Sequence, residues 1–264
     1  PRLSFHRTLI VYAAPPAELA QAWANAPCWT VQFTPPLIKT RLIKRYKRFL
    51  ADVEMPNGEV ITVHCPNPGS MAGLTEPGIP AWISDSENPK RKLRYSLELV
   101  EVDGVMVGIN TNHPNKLAKE AIESGLLPEL SGYDELKTEI PYGENSRIDI
   151  LLTHEANRHT YVEVKNVHFS RQSGLFEFPD SVTTRGAKHL RELAREVKRG
   201  NRAVMLYIIQ RSDGDRLRFA EDCDPGYVAA FIEARKSGVE ALALKCDIYS
   251  DSISANDPIT IEYP

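Results

Sequence analysis

The residues best suited to chemistry lie in Arg147-Ile148-Asp149-Ile150-Leu151-Leu152 and, a short polar segment later, in Tyr161-Val162-Glu163-Val164-Lys165. Both runs read as strands, and the stretch from Thr153 to His159 suits the turn between them. Side chains alternate faces along a strand, so Glu163 and Lys165 share one side while Val162 and Val164 pack on the other. Two carboxylates and an amine at one edge of a buried sheet are costly unless something uses them. A divalent cation and a phosphodiester would use them. Mg2+, or Mn2+ in its place, takes carboxylate oxygens together with water and phosphate oxygens. Asp149 and Glu163 are the candidate metal ligands, with the Val164 carbonyl as a neutral third. Lys165 would stand beside the scissile phosphate, orienting water or offsetting charge. Glu123, Glu139 and Asp180 are candidate accessory acids. The competing account is chance spacing in a chain one-quarter charged, with Lys165 and Glu163 as a plain ion pair.

Two basic clusters accompany these strands. Lys39, Arg41, Lys44, Arg45, Lys47 and Arg48 are interleaved with Leu42, Ile43, Tyr46 and Phe49, and no acid interrupts them. Cations and rings on one strand suit a nucleic-acid groove, the cations holding backbone and the rings stacking bases. The alternative is a barrel strand whose polar face is merely basic. An amphipathic helix expected over Asp180 to Arg199 carries Arg185 and Lys188 near its start, where free amides and the dipole favour anions. The segment Asn67 to Gly73 reads as a structural turn, since it lacks the Gly-Lys-Ser/Thr end of an ATP-binding loop. No histidine shows metal-ligand spacing, so each reads as structural.

The elements that must position these residues fall into two groups. Thr40 to Met55, Glu59 to Cys65, Ile79 to Ser84, Leu93 to Val102 and Val105 to Asn110 read as strands. Five strands in about 75 residues suit a small closed barrel of the OB type. After His113-Pro114-Asn115 come a helix with Leu117, Ala121 and Ile122 as its apolar face, a strand near Leu136 to Ile140, and the two chemical strands. The wholly apolar Ala203 to Ile209 belongs at the centre of a sheet covered on both faces. A helix over Tyr227 to Lys236 and a strand over Val239 to Tyr249 complete an α/β domain. The expected division is a leading extension over 1–34 with a short helix from Pro16 to Asn25, a barrel over 35–112 and the α/β domain over 113–264.

Composition excludes some alternatives. The chain has 264 residues, 42% hydrophobic and 25% charged, which is ordinary for globular protein, and its net charge of -3 places any affinity for polyanions in local patches. No apolar run approaches the roughly 18 residues that span a bilayer, so no membrane partner is expected. The four cysteines are far apart and form no CxxC pair, which suits reduced thiols in a cytoplasmic protein.

Several motifs in order also resemble a known family. They are Phe33-Thr34-Pro35-Pro36-Leu37-Ile38, the run from Arg41 to Leu50, Cys65-Pro66-Asn67 with Gly69-Ser70-Met71, Asn88-Pro89-Lys90-Arg91-Lys92-Leu93, Asn115-Lys116-Leu117, Ser146-Arg147-Ile148-Asp149, Tyr161 to Lys165, and Phe178-Pro179-Asp180 with Arg185-Gly186 and Lys188-His189-Leu190. Together they are similar to the sugar fermentation stimulation protein SfsA family, from about Phe33 to the C-terminus. Two departures stand out: Pro1 to about Gln32 has no counterpart, and Pro68 stands where many relatives carry threonine. The resemblance implies an N-terminal OB-fold domain and a PD-(D/E)xK nuclease-like α/β domain. It also implies binding to DNA, single- or double-stranded, without strong sequence preference, and a regulatory link to maltose metabolism. The family's catalytic positions fall on Asp149, Glu163 and Lys165. Two functions are thereby expected, a Mg-dependent DNA endonuclease or a non-catalytic DNA-binding regulator.

Overall fold

The computed structural model describes residues 31–264. The leading extension and its short helix, apart from the last few residues, lie outside that range. The first described strand, β1 (Val31–Gln32), pairs antiparallel with a C-terminal strand at Ile253 and Ser252, and Val31 is buried in the α/β core.

The barrel is built from β2 (Ile38–Tyr46), β3 (Leu50–Glu54), β4 (Val60–His64), β5 (Pro80–Asp85) and β6 (Tyr95–Val102). Hydrogen bonding runs in the order β4-β3-β2-β5-β6 and closes where His64 meets Ser96. That is the OB connectivity. Leu42, Val53, Val63, Ile83 and Leu97 fill the interior. The run from Thr40 to Met55, expected as one strand, is two. Lys47 and Arg48 adopt positive φ values of 48° and 62° and turn the chain back on itself. Neither is a residue type that announces such a turn. The fifth expected strand, now β7 (Val105–Gly108), lies outside the closed barrel as a hairpin on β6.

The second domain follows as α1 (His113–Glu123), β8 (Glu135–Tyr142), β9 (Ser146–His154), β10 (Arg158–Val167), β11 (Phe169–Gln172), β12 (Gly174–Phe178), α2 (Thr184–Lys198), β13 (Arg202–Ile209), β14 (Gly214–Phe219), α3 (Pro225–Lys236), β15 (Glu240–Ile248), β16 (Ser252–Pro258) and β17 (Thr260–Glu262). Its main sheet has the order β1-β16-β15-β13-β10-β9-β8. β13 is central, parallel to both β10 and β15. Its Val204, Leu206 and Ile208 pack with Leu117 and Ile122 of α1 on one face. Its Met205, Tyr207 and Ile209 pack with Leu190, Leu193 and Phe231 of α2 and α3 on the other. Burial on both faces is why this strand has no polar alternation.

α2 begins later than expected, after Thr183, whose Oγ1 accepts the Gly186 amide at 3.0 Å. Asp224 caps α3 through the Tyr227 amide and accepts the Thr183 amide with its other oxygen at 2.7 Å, tying the starts of the two helices together. A second sheet, β11-β12-β14-β17, was not anticipated. Its strands are short, and Glu177, fully buried on one of them, is held by Arg171 and Arg218.

Polar contacts stitch the barrel to the α/β domain. Gln210, at the end of β13, donates to the Asn110 carbonyl and to Asn166 Oδ1, and its own carbonyl accepts the Gly108 amide at 2.9 Å. A Cβ at Gly108 would lie 2.5 Å from Gln210 Oε1, so this close approach requires glycine. Asn110 donates to the buried Glu98, which also accepts from Ser84 and contacts His113 at 2.8 Å. On the other side of the seam Asp180 accepts the Met71 amide and the Ser70 hydroxyl, both at 3.0 Å, and stands 3.6 Å from His168. Burial would raise the Asp180 carboxyl, but His168, the Met71 amide and the Ser181 hydroxyl hold it well below the usual range. A depressed carboxyl stabilises the fold above its unfolded pKa and loses that contribution as pH falls. Asp180→Asn is therefore expected to cost about 1.5–3 kcal/mol at pH 7. In urea unfolding at several pH values, the gap from wild type should close as pH drops below about 4.

Candidate active site

β9 and β10 are paired only as far as Val162 opposite Ile150, and beyond that they part. The Val164 amide has no ladder partner on that side, and Asp149 Oδ2 accepts it at 2.7 Å. N–H and C=O of one strand residue point the same way, so the Val164 carbonyl faces the same gap. Asp149 Oδ1 accepts Asn115 Nδ2 at 2.9 Å, and that amide also reaches Glu139 Oε1 at 3.3 Å. Glu139 sits opposite Asp149, bracketed by the pairs Thr138–Ile150 and Ile140–Ile148, with a positive φ of 57°. A glutamate in this conformation marks local strain of the kind that collects at functional sites.

Glu163 and Lys165 project to the α2 face. Glu163 is 2% exposed. Its Oε1 accepts Lys165 Nζ at 2.6 Å and also meets His189 Nδ1 of α2. Arg185 Nε donates to His189 Nε2 at 3.3 Å. A guanidinium is donor only, so Nε2 accepts, and the proton of a neutral imidazole sits on Nδ1, facing Glu163. Glu163 Oε2 is buried with no hydrogen-bond partner. Burial would raise the Glu163 carboxyl, but Lys165 and His189 outweigh it and the net shift is downward. Asp149 is pushed up to about 6, first by burial and then by the charge of Glu163.

These features fit a hydrated divalent cation. An orphaned buried carboxylate oxygen beside a second carboxylate of raised pKa is a charge arrangement that a cation would relieve. Among the described residues no group of three or more His, Cys, Asp or Glu side chains is disposed as a metal cage. Two carboxylates and a main-chain carbonyl, with water completing the shell, suit a hard divalent cation.

A pocket of about 410 Å³ opens beside the acids, lined by Glu139, Asn145, Ser146, Arg147, Arg185, Lys188 and His189. Arg147 is exposed there and makes no ion pair among the described residues. Lys188 is anchored, donating to the Glu144 carbonyl at 2.5 Å and to Ser146 Oγ at 3.0 Å.

The other sequence candidates scatter. Glu123 lies two turns beyond Asn115 on α1, about 12 Å along the helix axis, paired with Lys119. Asp180 is committed to the barrel seam. Of the barrel cations, Arg45 binds the carbonyls of Asn67, Gly69 and Ser70, bracing the Asn67 to Gly73 turn from below. Lys39 lies over the Trp82 ring, Arg41 donates to the Gly78 carbonyl, and Lys44 pairs with Asp52. Tyr46 donates to Asp52 as well. Lys47 and Arg48 are exposed at the turn and make no ion pair among the described residues.

Asn115 and His189 were given no role by sequence reasoning. The available signals were faint: a polar residue just after the helix-starting Pro114, and an Arg185–His189 spacing of one helical turn.

Residues 112–252 match the sugar fermentation stimulation protein RE domain, and residues 43–109 match the SfsA N-terminal OB domain. The chain belongs to the sugar fermentation stimulation protein family. The sugar fermentation stimulation protein homolog of Maricaulis maris is 52% identical over 232 residues, covering 88% of this chain and 99% of that protein. The homolog of Allorhizobium ampelinum is 56% identical over 216 residues, covering 82% and 92%. The structure of Pyrococcus furiosus SfsA in complex with Ca2+ superposes with a TM-score of 0.80 at 26% identity, covering 90% of this chain and all of that one. The SfsA architecture is thus an OB barrel followed by an α/β domain, the latter matching the family's RE domain. No helix among the described residues is long and apolar enough to cross a membrane.

Proposed function

We propose that this protein is a divalent-metal-dependent DNA phosphodiesterase of low sequence specificity, in which the barrel holds DNA and the α/β domain cuts it. The carrying observation is the Asp149–Glu163–Lys165 cluster with its orphaned Glu163 oxygen. Pyrococcus furiosus SfsA forms a complex with Ca2+, which supports a hard cation at the acids of this chain. Asp149, Glu163 and the Val164 carbonyl would hold Mg2+ or Mn2+, which when bound neutralises charge on a phosphodiester as a Lewis acid. Asn115 orients Asp149, His189 and Arg185 orient Glu163, and Arg147 and Arg185 face the pocket where phosphates would sit. Lys165, beside Glu163, would offset charge that builds on the reacting phosphate. Lys188 holds the Ser146 turn rather than a phosphate.

One observation favours a second reading, a DNA-binding regulator with a silent site. Lys165 Nζ is engaged by Glu163 at 2.6 Å and is not free to act on water. Supercoiled, linear and single-stranded DNA incubated with Mg2+ or Mn2+ decides between them. The nuclease reading expects metal-stimulated cleavage that Asp149→Asn abolishes while DNA binding persists. Binding without cleavage on every substrate supports the regulator.

A further inference from the structure

The outer face of the barrel carries a set of rings that the nuclease site does not use. Tyr46 of β2 stands opposite Leu50 of β3, and Leu50 stands opposite His64 of β4. Phe49 emerges from the Lys47–Arg48 turn directly before Leu50 and is 47% exposed. Its ring lies nearly parallel to the His64 imidazole, with centroids 6.5 Å apart and an interplanar angle of 18°. His64 pairs with Ser96, and Ser96 accepts a hydrogen bond from Arg91 at 3.2 Å, so a guanidinium borders the imidazole. Lys47 and Arg48 lie at the other edge, exposed and without ion pairs among the described residues. Of the two β3 acids on this face, Asp52 is answered by Lys44 at 3.3 Å and by the hydroxyls of Thr62 and Tyr46, and Glu54 lies at the end of the strand away from Phe49.

An exposed phenylalanine costs solubility and contributes little to the core, and most large apolar side chains of this barrel are inside it. Planar rings flanked by uncompensated cations match one ligand chemistry: unpaired bases on a phosphate backbone. A duplex, whose bases already stack on one another, offers no ring face to Phe49. We propose that Phe49, stacked on His64 and bordered by Lys47, Arg48 and Arg91, is a stacking platform for an unpaired base of single-stranded DNA. This inference rests on the DNA-binding reading above and adds to it the strandedness of the DNA that the barrel holds. Burial and then Arg91 lower the His64 pKa, which keeps the imidazole a neutral ring at neutral pH. The turn orders the platform, since the Phe49 carbonyl accepts the Cys65 amide at 2.8 Å.

The test measures fluorescence anisotropy of labelled oligothymidylate and of a blunt duplex with the full-length protein, without divalent metal. Phe49→Ala is expected to weaken oligothymidylate binding roughly 5- to 100-fold and to leave duplex binding within about 2-fold. Phe49→Trp should restore binding and report it by quenching of its own fluorescence, whereas Phe49→Leu, apolar but ringless, should not. Equal affinity of wild type and Phe49→Ala for oligothymidylate overturns the platform while leaving the DNA-binding reading intact. Tighter binding of oligouridylate than of oligothymidylate overturns single-stranded DNA as the occupant. A wild-type protein that binds neither oligonucleotide nor duplex overturns both readings together.

Discussion

Asp149→Asn is expected to lower metal-dependent DNA cleavage by roughly 10³-fold or more, the loss of several kcal/mol of charge stabilisation on the transferring phosphate. The same variant should melt at a higher temperature than wild type at pH 7. The Asp149 carboxyl rises from 3.8 to about 6 because its charge is buried beside Glu163. Ionised Asp149 therefore costs the fold on the order of 2–3 kcal/mol at neutral pH, and a neutral side chain removes that cost. The sign with pH follows. The unfolded chain releases the proton first, so wild-type stability falls as pH rises between about 4 and 6, and below that window the two proteins converge. Added Mg2+ should raise the wild-type melting temperature and leave the variant's unchanged, since only wild type gains a ligand that prefers the folded state. Calorimetry across pH, with and without metal, checks all three statements. A variant less stable than wild type at pH 7 would mean that Asp149 is held for structure.

Lys165→Met is expected to reduce cleavage by roughly 10²- to 10³-fold, the usual cost of removing one charge-stabilising donor, but with the opposite effect on stability. Lys165 is the ammonium partner, at 2.6 Å, of a glutamate whose side chain is 3% exposed. Its removal leaves a buried carboxylate with His189 alone, and breaking such a pair costs about 3–5 kcal/mol. Adding Glu163→Gln in the same chain removes the stranded charge, so the double variant should regain most of the stability and none of the cleavage. Chemical denaturation of the two single variants and the double, read against plasmid nicking, separates the roles. If the double variant is no more stable than Lys165→Met, the amine does not act through Glu163.

Much of this arrangement was legible in the sequence. Asp149, Glu163 and Lys165 lie on strands because the apolar residues around them alternate, and the structure places Val162 and Val164 in the core, as that alternation required. The apolar run of β13 was legible for the same reason, since burial on both faces leaves no polar residue to find. Lys47 and Arg48 defeated the strand reading because a left-handed turn normally advertises itself through Gly, Asn or Asp, and here basic residues accept it. That one turn changes the meaning of the basic cluster. Arg45 is spent on three carbonyls, Lys44 on Asp52, and the cations left free are at the tip. Contacts distant in sequence explain the rest. Asn115 reaches Asp149 from 34 positions away and His189 reaches Glu163 from 26, distances over which local patterning carries no information.

The seam of Glu98, Asn110, Gln210, Asn166, His168 and Asp180 has a practical corollary for anyone dissecting this molecule. Asn166 follows the lysine of the acid cluster directly, so whatever loosens the junction is felt one peptide bond from the chemistry. Severing the chain between the halves would take His113 from Glu98 and the Asn110 carbonyl and Gly108 amide from Gln210, and would open both buried faces to water. Truncation products should consequently aggregate or melt early, and denaturant should unfold the intact protein in one sharp step.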